Sequence, residues 1–124
     1  MSIPQSGGGP IEGFEQLAEY MASGCKPKDE WRIGTEHEKL VYKRSDFRAP
    51  SYDENCGIRD MLLNLQPFGW KPVEENGKVI AMSGEDGTVS LEPAGQLELS
   101  GAPLENLHQT CAETGRHLAQ VKEV

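Results

Sequence analysis

The spacing of apolar residues alternates between helical and extended periods along the chain, and each switch marks a predicted element. Ile11, Phe14, Leu17, Ala18 and Met21 recur at helical spacing, with Gly24 as a C-terminal stop. From Trp31 to Lys39 the period falls to two, which predicts a strand. Trp31, Ile33, Thr35, His37 and Val41 share one side of it, and Arg32, Gly34, Glu36, Glu38 and Leu40 the other. A break over 45–51, containing Pro50, precedes a second helix predicted to start near Asp53, to carry the stripe Ile58, Met61, Leu62 and Leu65, and to end at Pro67.

Residues 70–75 and 78–82 then alternate around Asn76-Gly77, a strong hairpin signal, and 84–87 form a further turn. Residues 88–100 alternate on both sides of Pro93-Ala94-Gly95, which predicts a hairpin with a three-residue loop: Pro93 presets φ and Gly95 takes the left-handed position. With that loop Glu92 faces Gln96 and Ser90 faces Glu98. After Pro103 a last helical stripe runs through Leu104, Leu107, Cys111, Leu118 and Val121, with Gly115 as a weak point or a close-packing position.

The predicted class is α+β: about five largely antiparallel strands, with helices on the face that carries Ile33, Val89, Leu91, Leu97 and Leu99. The other face is acidic and expected to stay open. Residues 1–10 read as a flexible leader and 11–124 as one domain. The chain has 124 residues, 36% of them hydrophobic, and no apolar run near the length of a membrane span. Its net charge of −8 argues against nonspecific binding to nucleic acid or to an anionic membrane surface. The N-terminus has neither a secretory nor a transit-peptide layout, so a cytoplasmic location is expected. Three cysteines without a Cys-x-x-Cys pair point to reduced thiols, with Cys111 expected in the core.

The candidate chemistry lies in the acids. Glu36 and Glu38 project from one face about 7 Å apart, an arrangement that water, an arginine or a divalent cation would neutralise. Glu92 and Glu98 become diagonal neighbours on the polar side of the second hairpin, close enough to share or flank an ion. A solvated acidic face remains the plainer alternative. Arg32, on the side of Glu36, is expected to be its ion-pair partner rather than a phosphate ligand. His37 points away from the acids and reads as a packing residue, and the nine-residue spacing of His108 and His117 is read as placing both on one side of the last helix.

Two blocks, Trp31-Arg-Ile-Gly-Thr-Glu-His-Glu-Lys39 and the run from Leu91 through Glu-Pro-Ala-Gly-Gln-Leu-Glu-Leu-Ser-Gly-Ala-Pro to Glu113, resemble glutamate–cysteine ligase of the plant and proteobacterial type. The resemblance implies a glutamine synthetase-like antiparallel half-funnel and ATP-dependent joining of the glutamate γ-carboxylate to the cysteine amine, the first step of glutathione synthesis. It implies magnesium ligands at Glu36, Glu38, Glu92 and Glu98, with ATP, glutamate and cysteine as small-molecule partners. It also implies a redox role open to Cys111, and glycine more often than alanine at position 94. Members are several times longer, so the chain is expected to need the remainder of a ligase, or a second chain, for turnover. The alternative is a noncatalytic cation-binding or interaction module on the same sheet.

Overall fold

The computed structural model describes residues 8–85 and 87–124; most of the expected leader and Asp86 of the expected 84–87 turn lie outside the described residues. Eight main elements follow in order: α1 (Phe14–Ser23), β1 (Glu36–Lys39), α2 (Ile58–Leu63), β2 (Lys71–Glu75), β3 (Lys78–Ser83), β4 (Thr88–Glu92), β5 (Gln96–Ser100) and α3 (Leu107–Glu123). The five strands make one sheet in the order β1-β5-β4-β3-β2, and every neighbouring pair is antiparallel. Both hairpins form as their turn residues dictate. Asn76 and Gly77 take φ of 51° and 75°, as a two-residue hairpin loop requires, and Pro93–Gly95 close the second, with Ala94 and Gly95 both left-handed at φ 65° and 74°.

The core lies on one side of the sheet. Met82, Val89 and Leu99 run across three strands in register and, with Leu97, pack against Ile58, Leu62 and Leu65 of α2 and the turn after it. Val79 joins them because β3 carries an extra residue: Val73 pairs with Ala81 but Glu74 with Val79, and the bulge turns Val79 inward. The Tyr52 hydroxyl donates to the Val79 carbonyl at 2.8 Å, tying the loop before α2 to the sheet. No helix among the described residues is long and apolar enough to cross a membrane.

Several elements depart from the expectations. The first strand is short: Ile33 makes an isolated bridge to Leu104 and is 37% exposed, so it is not core. α2 spans only Ile58–Leu63, because the chain tightens into a 3-10 turn at Gln66–Phe68 around Pro67. α1 forms but buries none of its residues, so it does not cover the sheet. α3 starts later than Leu104, where Asn106 accepts from the backbone of His108 and Gln109 while the Gln109 side chain reaches back to the Asn106 N–H, a capping box.

Of the expected apolar stripe on α3, Val121 packs against the core, but much of the helix's inward face is polar. His117 is buried, Glu113 accepts from the Ala102 N–H at 2.8 Å, and Gln120 accepts from the Trp70 indole at 2.9 Å, whereas Leu107 and Cys111 are exposed. Nothing crowds Gly115, so it is no close-packing position.

Candidate functional site

Strand pairing brings the acids of the two hairpin regions onto one face. On β1 and β5, Glu36 pairs with Ser100 and Glu38 with Glu98; on β5 and β4, Glu98 pairs with Ser90 and Gln96 with Glu92. Paired residues point to the same side of a sheet, so Glu36, Glu38, Glu98 and Glu92 share the surface opposite the core. Glu38 and Glu98 are direct cross-strand neighbours, with Cβ atoms about 5 Å apart in such a pair. Glu92 is the outlier of the four, two residues along and one strand across from Glu98.

The sequence predicts an open acidic face, and the structure closes part of it. Glu36 and Glu38 on the edge strand are exposed, but Glu98 retains 5% and Ser90 2% of their accessible surface. Glu98 stands on β5, an inner strand of the sheet. The Ser100 hydroxyl donates to Glu98 Oε1 at 2.6 Å, and this bond is the main reason the Glu98 carboxyl stays below its ordinary pKa despite burial. The buried acid is therefore anionic at neutral pH. A cavity of about 280 Å3 lined by Gly34, Thr35, Glu36, Ser100 and Gly101 opens at the end of this row.

The donors on the face are carboxylate and hydroxyl oxygens, suited to a hard cation. Among the described residues no three His, Cys, Asp or Glu side chains converge tightly enough to hold a metal ion by themselves. Arg32 does not pair with Glu36; its guanidinium donates to the carbonyls of Asp29 and Trp31 at 3.0 and 2.8 Å. His37 lies on the opposite side, paired with Leu99, as its position in the alternation requires.

Sequence reasoning missed what His37 meets there. Its ring stands edge-on to that of His117, with centroids 6.5 Å apart. His108 and His117 are not on one side of α3, since nine residues amount to about two and a half turns; His108 is exposed and His117 is 2% exposed. Burial, then the nearby Lys39 and His37, lower the His117 pKa to about 4. Burial, then Lys39, lowers that of His37 as well. Both imidazoles are neutral at pH 7. His117 also lines a cavity of about 320 Å3 with Trp70, Glu113 and Arg116, and none of the acidic row reaches it. Periodic hydrophobicity gives no signal for a polar packing stripe.

Comparison with known proteins places the chain in a family. The model of glutamate-cysteine ligase family 2 (GCS2) matches residues 32–124. Glutamate–cysteine ligase A, chloroplastic, of Oryza sativa subsp. japonica is 52% identical over 111 residues, covering 89% of this chain and 22% of the relative. The chloroplastic glutamate–cysteine ligases of Solanum lycopersicum and Arabidopsis thaliana are 51% and 50% identical over 111 residues, again 89% of this chain, and 21% of each relative. The chain thus spans about a fifth of the length of the curated relatives it matches. All three names say chloroplastic, which overturns the expected cytoplasmic location.

Proposed function

The chain belongs to the glutamate–cysteine ligase family, and from that premise we propose that its acidic sheet face is the cation-holding wall of an ATP-dependent carboxylate–amine ligase. The reaction would join the γ-carboxylate of glutamate to the amine of cysteine, the entry to glutathione synthesis, in a plastid setting. Residues 11–124 would serve as one α+β unit of a longer, glutamine synthetase-like ligase fold. The observation that carries the proposal is the direct pairing of Glu38 with Glu98, flanked by Glu36 and by the hydroxyls of Ser100 and Ser90.

The donor set fits magnesium, which takes oxygen ligands, often only one or two of them protein carboxylates, and completes its shell with water and substrate phosphates. Glu38 and Glu98 would hold an ion together with water and phosphate oxygens, and Glu36 and Glu92 would contribute ligands from the margins of the row. Bound there, magnesium would offset the negative charge that gathers when a carboxylate and a nucleotide triphosphate meet. The protein's own part is to keep its acids ionised and placed. Ser100 does this for Glu98 by hydrogen bonding, and the β1–β5 ladder does it for Glu38 by fixing register.

Calorimetric titration of magnesium with ATP into the chain and its Glu38→Gln and Glu98→Gln variants tests the proposal without requiring turnover. Affinity should fall about tenfold or more in each variant, as expected when a charged ligand leaves an ion site. Unchanged binding curves would count against the acidic row as the cation site.

A further inference from the structure

One side of α3 carries four polar side chains at the spacing where an amphipathic helix usually carries apolar ones. Glu113, Arg116, His117 and Gln120 stand at i, i+3, i+4 and i+7. All four line the cavity of about 320 Å3 between α3 and the sheet, and Trp70, Leu99 and Leu104 supply its apolar wall. Leu99 belongs to the core side of β5, so the cavity lies behind the sheet, away from the acidic row.

Part of this polar set is already engaged. Gln120 Oε1 accepts from the Trp70 indole at 2.9 Å, which fixes the ring at the cavity wall, and Glu113 Oε1 accepts from the Ala102 N–H at 2.8 Å. The rest is idle. Glu113 Oε2 and both ring nitrogens of His117 are buried without a hydrogen-bond partner among the described residues, and His117 is only 2% exposed. The Arg116 guanidinium makes no hydrogen bond or ion pair among the described residues either. Buried polar atoms in folded proteins are nearly always paired, so atoms left idle around one cavity outline the ligand that pairs them.

Charge defines that ligand. An anionic oxygen without a donor and a guanidinium without an acceptor stand three residues apart on α3, where Cβ atoms are about 5–6 Å apart, and they do not pair with each other. An ammonium and a carboxylate on one carbon satisfy both at once through charge-assisted hydrogen bonds. The neutral imidazole of His117 adds one donor and one acceptor. Glu85, exposed at the rim, and Glu113 make the site hostile to a polyanion such as a nucleotide. The volume stands at the small end of ligand pockets, about 300–1,000 Å3, which suits a free amino acid.

We propose that this cavity is a second small-molecule site, one that binds a free α-amino acid with an aliphatic side chain. Its carboxylate sits on Arg116, its ammonium on Glu113, and its side chain against Trp70, Leu99 and Leu104. The proposal goes beyond the ligase reading and does not depend on it, because no residue of the acidic row takes part.

Nuclear magnetic resonance titration of the 124-residue chain tests it, with L-leucine, leucinamide and 4-methylpentanoate as probes. L-Leucine should shift the Trp70 indole N–H and the Ala102 amide saturably, with a Kd of about 1 mM or tighter, and leave the Trp31 indole, outside the cavity, in place. Leucinamide, which lacks the carboxylate, and 4-methylpentanoate, which lacks the ammonium, should each bind at least about tenfold more weakly. Arg116→Met, at an exposed position, should weaken L-leucine about tenfold and leave leucinamide unchanged. Glu113→Gln should weaken L-leucine by a similar factor and leave 4-methylpentanoate unchanged; if that variant does not fold, Arg116→Met carries the test. No saturable shift with L-leucine would overturn the site and leave water alone in the cavity. Equal binding of all three probes would overturn recognition of the zwitterion, as would undiminished L-leucine binding in Arg116→Met.

Discussion

Glu38 on β1 stands directly across from Glu98 on β5, so two carboxylates occupy one cross-strand pair. Like charges so placed destabilise a sheet by a few tenths to about 1 kcal/mol. In a chelating buffer Glu38→Gln should therefore raise the unfolding free energy by about 0.5 kcal/mol, measured by urea denaturation. Magnesium should stabilise the native chain more than the variant and narrow or reverse that gap. A variant less stable under both conditions would show that the pair is held by something other than a cation.

Acid should unfold the chain through its buried imidazoles. His117 binds a proton near pH 4 when folded and near 6.5 when unfolded. Between those values the unfolded chain carries the extra proton, so stability is full above about pH 6.5 and declines as pH falls toward 4. The loss should be on the order of 1–3 kcal/mol, with His37, also lowered, adding in the same direction. Lys39, which faces both rings, steepens the effect by repelling their charged forms. Denaturation midpoints across pH 4 to 7 should flatten in His117→Gln, and an unchanged slope would remove His117 as the cause.

The second hairpin is strained at its tip. Ala94 has φ 65° and ψ 15°, left-handed geometry that costs a residue with a Cβ about 1–2 kcal/mol, and it adjoins Gly95 at φ 74°. Ala94→Gly should stabilise the chain by about 0.5–1 kcal/mol after the added chain entropy is deducted. Thermal melts of the two proteins decide it.

Gly115 interrupts α3 with open space where a methyl group would stand. Gly115→Ala should add about 1 kcal/mol of stability. Gly101 behaves oppositely, since a Cβ there would fall on the Glu113 carboxylate. Gly101→Ala should cost stability and release the Glu113 clamp on Ala102, visible as faster exchange of the Ala102 amide.

Local chemistry made the hairpins legible. Asn76-Gly77 and Pro93–Gly95 set turn geometry, register followed, and the partners Glu92–Gln96 and Ser90–Glu98 came with it. The pairing of Glu38 with Glu98 needed a contact between distant segments, so alternation alone gave the shared character of the acids but not which residue faced which. The last helix was misread for a different reason. Val121 packs as its spacing requires, but further contacts run through Glu113, His117 and Gln120, which meet Ala102, His37 and Trp70, while the same apolar spacing also selects the exposed Leu107 and Cys111. α1 was legible as a helix, but what it packs against is not encoded in its own period. Subcellular address was not legible at all.

Because Glu36 pairs with Ser100 and Lys39 with Leu97, β1 finds its neighbour among the described strands only at the far end of the meander. During synthesis β2, β3 and β4 can each meet a partner soon after leaving the ribosome, whereas β1 waits through nearly the whole translation of the sheet. The acidic row is thus assembled last, and a ribosome stalled before Ser100 would carry a nascent chain with a partly formed core and no cation wall.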